Sequence, residues 1–215
     1  MVDWFIDKGS CVPDKQKGDV MRIDRILTIL LLSGVWVTPV WGQNLQPNAD
    51  FSDPDYPLAG WNYDYEWTGN RNYVGNAERV SVLPSEGGRR NVLQIMGLGF
   101  VGSKVESVIL PYEEGMTYRA RIAVRGGPYR IYFSGYSWRP GIRPHDEPEL
   151  KELRPIYRSK TEAGSSRSWK TIDLEIPGVD ATELSQQHLR RVRFVTLYIW
   201  AERMTHVDQV RITRH

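Results

Sequence analysis

The chain has 215 residues, 40% of them hydrophobic and 25% charged, which suits one globular domain with a real core plus an extension and leaves two domains cramped. Its 28 basic residues are nearly balanced by 26 acidic ones, so the formal charge of +2 creates no global field for nucleic acid or an anionic membrane, and composition gives neither partner support. Eight Trp and eleven Tyr are the unusual counts, because rings with a polar tip serve stacking sites and interfaces as well as cores.

Residues 1–20 are polar and without periodicity, and read as an extension or as a start placed ahead of a second initiator, Met21. Residues 21–42 read as a signal peptide. Arg22 and Arg25 precede an apolar run from Ile26 to Val40 that Ser33, Gly34 and Pro39 interrupt, too short and broken to span a bilayer comfortably. Val40 and Gly42 are small enough for the minus three and minus one sites, which puts cleavage before Gln43. A retained N-terminal anchor is the alternative. Cys11, the only cysteine, lies upstream of that cut, so the domain 43–215 would carry no disulfide and its core must supply the stability. The expected location is secreted, periplasmic or cell-surface, with no membrane attachment after cleavage.

The domain opens with NLQPNADFSDPDYPLAGW, Asn44 to Trp61, where turn formers bracket the single aromatics Phe51 and Trp61. This is the pattern of an edge strand entering a sandwich, and HVDQVRI near the C-terminus is its expected partner. Strand-like runs then follow one another: Glu78 to Leu83, Asn91 to Met96, Val105 to Leu110, Thr117 to Val124, Tyr129 to Trp138, Trp169 to Ile176 and Val192 to Trp200. In YRARIAV the residues Tyr118, Ala120, Ile122 and Val124 face one way and Arg119 and Arg121 the other. KTIDLEI alternates likewise. Gly126, Gly127 and Pro128 predict a hairpin joining the fourth and fifth runs. Helix is confined to Pro148 to Arg154 and Ala181 to Leu189, the second capped by Asp180 or Thr182. The expected fold is all-β, a two-sheet antiparallel sandwich of the jelly-roll kind, with one long inserted loop from Arg139 to Ser168.

Four stretches, NLQPNADF with its following GW, VESVILPYEEGMTYRARIAV, SWKTIDLEI and VDQVRI, resemble the galactose-binding-like jelly rolls, which include the carbohydrate-binding modules of bacterial cellulases and xylanases. The resemblance covers Asn44 to Ile212. It implies the fold more strongly than the ligand, since one fold hosts many sites.

The candidate site is RIYFSGYSW, Arg130 to Trp138. Alternation places Ile131 and Phe133 on one face and Arg130, Tyr132, Ser134, Tyr136 and Trp138 on the other. Rings and a guanidinium on one strand face suit a sugar, whose C–H faces stack and whose hydroxyls seek planar donors and acceptors. The predicted hairpin would add Arg119 and Arg121 to that groove. The same residues would equally pack beneath a loop. The long segment from Arg139 leaves directly from Trp138 and would shape or lid the site, its basic residues diluted by Asp146, Glu147, Glu149, Glu152 and Glu162.

The resemblance further implies a structural Ca²⁺ held between the two chain ends by Asp50 and Asp208. Here Ser52 stands where an acidic residue usually follows the Phe, which weakens that expectation. No nucleophile elbow, metal-spaced histidines or phosphate loop is present, and His145, His188, His206 and His215 are scattered. Paired carboxylates for glycoside hydrolysis need only closeness in space, so sequence leaves that chemistry open. The expected function is non-catalytic binding of a glycan or polysaccharide. The alternative is a structural or adhesive cell-envelope protein that uses the same sandwich to bind other proteins.

Overall fold

The computed structural model describes residues 42–63, 77–179 and 181–215; the signal-like and upstream segments and Asp180 lie outside the described residues. The chain runs through β1 (Val80–Glu86), β2 (Arg89–Ile95), β3 (Ser103–Glu106), β4 (Leu110–Pro111), β5 (Tyr118–Trp138), β6 (Leu153–Arg158), β7 (Glu162–Ile176), α1 (Glu183–Leu189), β8 (Phe194–Ala201) and β9 (Thr205–Arg214).

The organising element is β5, a single strand of 21 residues. One of its edges is paired first with β9 and then with β8; the other is paired first with β7 and then with β6, all antiparallel. Halfway along, Gly126 and Gly127 adopt φ values of 98° and 106°, a region that costs a side chain dearly and glycine little. The strand bends there and leaves one layer for the other. The first layer is ordered β1-β2-β9-β5-β7; the second joins β6, the rest of β5, β8 and β3, with β4 also on β8.

Alternation then fills the interior. Ile122, Val124, Val207 and Ile212 from the first layer meet Ile131, Phe133, Leu197 and Ile199 from the second, all fully buried in one core. The result is a two-layer antiparallel jelly-roll sandwich.

Three expectations need correction. The Gly-Gly-Pro stretch makes no hairpin, because both edges of β5 stay paired through it and the neighbouring strands turn the corner alongside. The segment from Arg139 to Ser168 is not one loop: it contains β6 and the first half of β7, which extend the ladder along β5, so only residues 139–152 arch away from it. Pro148 to Arg154 forms a single 3-10 turn, Leu150–Glu152, and then a strand, since Leu153 is drawn into the ladder opposite Trp138. The second helix does form, with Thr182 Oγ1 accepting from Ser185 N.

The two chain ends lie together. Asn44 stands in for a strand with its side chain: its Oδ1 accepts from Ile212 N at 2.8 Å and its Nδ2 donates to Val210 O at 3.0 Å, while Leu45 N donates to Ile212 O at 2.8 Å. Phe51 and Trp61 are buried together behind this seam, ring centroids 5.2 Å apart. No helix among the described residues is long and apolar enough to cross a membrane.

Candidate functional site

The outer face of the second layer is built by alternation in three strands. β5 contributes Arg130, Tyr132, Ser134, Tyr136 and Trp138; β8 contributes Phe194, Thr196, Tyr198 and Trp200; β3 contributes Lys104 and Glu106. Cross-strand register sets Arg130, Trp200 and Lys104 in one row and Tyr132, Tyr198 and Glu106 in the next.

The face has two halves. In the covered half, residues 139–152 and the β3–β4 connection fold over the sheet. Trp138 meets Phe194 edge-on at 5.4 Å and His145 at 4.9 Å, and a small apolar cluster of Tyr136, Leu150 and Leu153 forms with Ile109 against them. Tyr136 is only 7% exposed. Its hydroxyl donates to Glu106 Oε2 at 2.6 Å, as does Thr196 Oγ1 at 2.6 Å, and Lys104 Nζ lies 3.6 Å from Glu106 Oε1. Burial first, and the Glu106 carboxylate second, push the Tyr136 phenol well above its ordinary range, so it stays a proton donor. Burial pulls the Lys104 ammonium down, with Glu106 opposing.

In the open half the rings are stacked and capped by cations. Tyr132 and Tyr198 lie face to face, 4.6 Å apart and 16° from parallel. Since β5 lies between β6 and β8, the outer face of Tyr132 receives the Arg158 guanidinium, 5.3 Å from the ring centre; Lys104 covers Tyr198 from β3 at 5.3 Å. Arg130 sits 5.0 Å over Trp200. The far side of that indole rests on Gly102, where an added Cβ would come within 2.2 Å of the ring. Tyr132, Tyr198 and Trp200 are half-buried, whereas Arg130 and Arg158 are exposed.

Of the residues singled out from sequence, Arg130 and Tyr132 are on this open half, and Tyr136 and Trp138 are under the arch. Arg119 and Arg121 are elsewhere. They precede the corner and point from the outer face of the first layer, Arg119 to Glu175 at 3.4 Å and Arg121 to Asp173 at 2.9 Å. They line a cleft of about 1030 Å³ beside α1. Of its arginines, Arg119 and Arg121 are matched by acids while Arg158 and Arg211 also line it, and Tyr157 is its one Tyr, Trp or Phe among the described residues, so it is a weaker place for ring recognition than the second-layer face. Lys104, Arg158, Tyr198 and Trp200 were missed. FVTLYIWA alternates as cleanly as RIYFSGYSW, so the faces of β8 were readable, but nothing local says that β8 lies beside β5.

Asp50 and Asp208 are each engaged by protein donors. Asp208 is 5% exposed and its Oδ2 takes Arg89 Nη1 at 2.6 Å, while its Oδ1 accepts from Gln209 N at 2.7 Å. Asp50 Oδ1 accepts from Ser52 Oγ at 2.8 Å, the residue standing where an acid was expected. Among the described residues no cluster of three His, Cys, Asp or Glu is placed to hold a metal. The donor set at Asp208 fits an arginine-neutralised carboxylate and not a calcium cradle. Neither added calcium nor a chelator is therefore expected to move the melting temperature; a stabilisation growing with calcium concentration would overturn this.

No family model matches the chain, and no curated protein matches it in sequence. Among solved structures, the chain is similar to the module TmCBM61 in complex with β-1,4-galactotriose, at 12% identity over 80% of this chain and 99% of the other, with a TM-score of 0.45. A second is the CBM22-1–GH10 portion of a Clostridium thermocellum endo-1,4-β-D-xylanase complexed with xylohexaose, at 12% identity over 79% of this chain and 28% of that one, TM-score 0.43. A third is the family 11 carbohydrate-binding module of a Clostridium thermocellum cellulosomal cellulase, at 9% identity over 62% and 79%, TM-score 0.37.

Proposed function

We propose that this protein is an exported, non-catalytic carbohydrate-binding β-sandwich whose ligand lies across the open half of the second layer. The observation that carries this reading is the gathering of Tyr132, Tyr198, Trp200, Arg130, Arg158 and Lys104 on one sheet face. Half-buried rings offer apolar edges and phenolic hydroxyls on a rigid ladder, and the cations add planar or point donors for sugar oxygens. Export rests on the basic and apolar pattern of residues 21–42.

The test is a glycan-array screen of the purified full chain, followed by calorimetry on whatever glycan it returns. Trp200→Ala is expected to weaken binding about three- to tenfold, the range a ring contact is worth. Tyr198→Phe, which keeps the ring stack and removes one hydroxyl, serves as the second variant, with thermal melting as the folding control. Binding untouched by both would overturn the assignment of this face.

One observation favours the alternative of a protein-binding envelope protein. At the tip beside Trp200, Phe100 is 93% exposed, with Leu98, Met204 and Met96 also exposed around the β2–β3 and β8–β9 connections. An array with no bound glycan would overturn the first reading in favour of this one.

A further inference from the structure

Resting on the reading above, we infer that the glycan bound by this face is a polyanion, an acidic polysaccharide carrying carboxylates or sulfates. The first reason lies in the rings. A neutral pyranose recognised by stacking needs an aromatic face open to solvent. Here Tyr132 is enclosed between Arg158 and Tyr198, Tyr198 between Tyr132 and Lys104, and Trp200 between Arg130 and Gly102. The rings present edges and hydroxyls, and their faces hold cations.

The second reason lies in how the arginines are held. On the first layer four guanidinium groups have a carboxylate: Arg89 with Asp208, Arg119 with Glu175, Arg121 with Asp173, Arg125 with Glu86. Arg130 and Arg158 pair with no carboxylate among the described residues, and are oriented by rings instead. A guanidinium held over a ring keeps its charge, and the N–H groups it does not spend there can donate charge-assisted hydrogen bonds to a carboxylate or sulfate. The acid of this face, Glu106, is 1% exposed and turned to Tyr136, Thr196 and Lys104, so it does not repel an anion from above.

The third reason is spacing. Strand rise and strand separation put the backbone positions of Arg130 and Arg158, which stands opposite Ser134, on the order of 14 Å apart. One small anion cannot span them; a chain with a charge on successive sugars can.

The experiment titrates the full chain with polygalacturonate and a sulfated galactan, which separate carboxylate from sulfate, and with uncharged galactan and xylan. A single-stranded oligonucleotide serves as the non-glycan polyanion. At least one acidic glycan is expected to bind more than tenfold tighter than the uncharged pair, with affinity falling as salt is raised from about 0.05 to 0.5 M. Arg130→Gln and Arg158→Gln should each weaken that binding about tenfold with unchanged melting temperatures, while Arg191→Gln, an exposed arginine beyond α1, should not. Salt-independent binding of the uncharged glycans would overturn the inference and leave the carbohydrate-binding reading standing. Binding of none of the four glycans would overturn both, and preference for the oligonucleotide would overturn both in favour of a different polymer.

Discussion

Replacing Glu106 with alanine is expected to destabilise the protein by about 3 to 5 kcal/mol, the usual cost of removing one member of a buried charged network. Three donors lose their acceptor at once: the Tyr136 and Thr196 hydroxyls, each 2.6 Å from Oε2, and the Lys104 ammonium at 3.6 Å from Oε1. Tyr136 and Thr196 are buried, and the arch of residues 139–152 prevents water from replacing the carboxylate easily. An unsatisfied donor in such a place carries its full desolvation cost. Tyr136→Phe, which removes a single bond, should cost only about 1 kcal/mol, and Glu106→Gln should fall between the two. Urea denaturation of the three variants measures the series. A loss below about 1 kcal/mol for Glu106→Ala would mean that the network is not what holds the arch to the sheet.

The second large effect is expected at the corner of β5. Gly126→Ala should cost about 3 kcal/mol or more, from two sources that add: an unfavourable backbone region for an L residue and a collision. At φ 98° the new Cβ would stand 2.4 Å from Met204 O, a backbone atom in the β8–β9 connection that cannot rotate away. Gly141 separates the two contributions. Its φ is 86° but nothing lies within 4 Å of the position a Cβ would take, so Gly141→Ala pays the conformational cost alone, about 1 kcal/mol. Equal losses at the two glycines in chemical denaturation would show that the three-stranded corner is looser than its geometry implies.

The corner also explains where reading the sequence went astray. Gly126, Gly127 and Pro128 are strong turn formers, and two strands joined by such a group ordinarily fold back on each other. The deciding fact is that β7 and the β8–β9 pair already occupy the two edges of β5 on both sides of the bend. With its edges filled, β5 has no free hydrogen-bonding side on which to receive its own second half. The glycines therefore bend the ladder instead of reversing it, and Arg119 and Arg121 end on the opposite layer from Arg130 and Tyr132.

Alternation was enough to assign the faces of β5 and β7, to separate Ile131 and Phe133 from Tyr132 and Tyr136, and to foresee an all-β sandwich whose ends meet. Side-chain direction in an extended chain has a period of two and depends only on the backbone of the strand itself. Which strand lies alongside which has no such local record. The register that stacks Tyr132 on Tyr198, brings Arg158 and Lys104 over the two rings, and lays Trp200 on Gly102 joins residues up to 98 positions apart. It is selected by the burial of the shared core on the other side of the sheet. The same holds for the arch: nothing in Trp138 or Tyr136 distinguishes an open ring from a covered one until Leu150 and Leu153 settle against them. Strand faces were thus decided residue by residue, while the composition of the proposed binding face was decided by packing between distant segments, because only the folded core brings those segments into register.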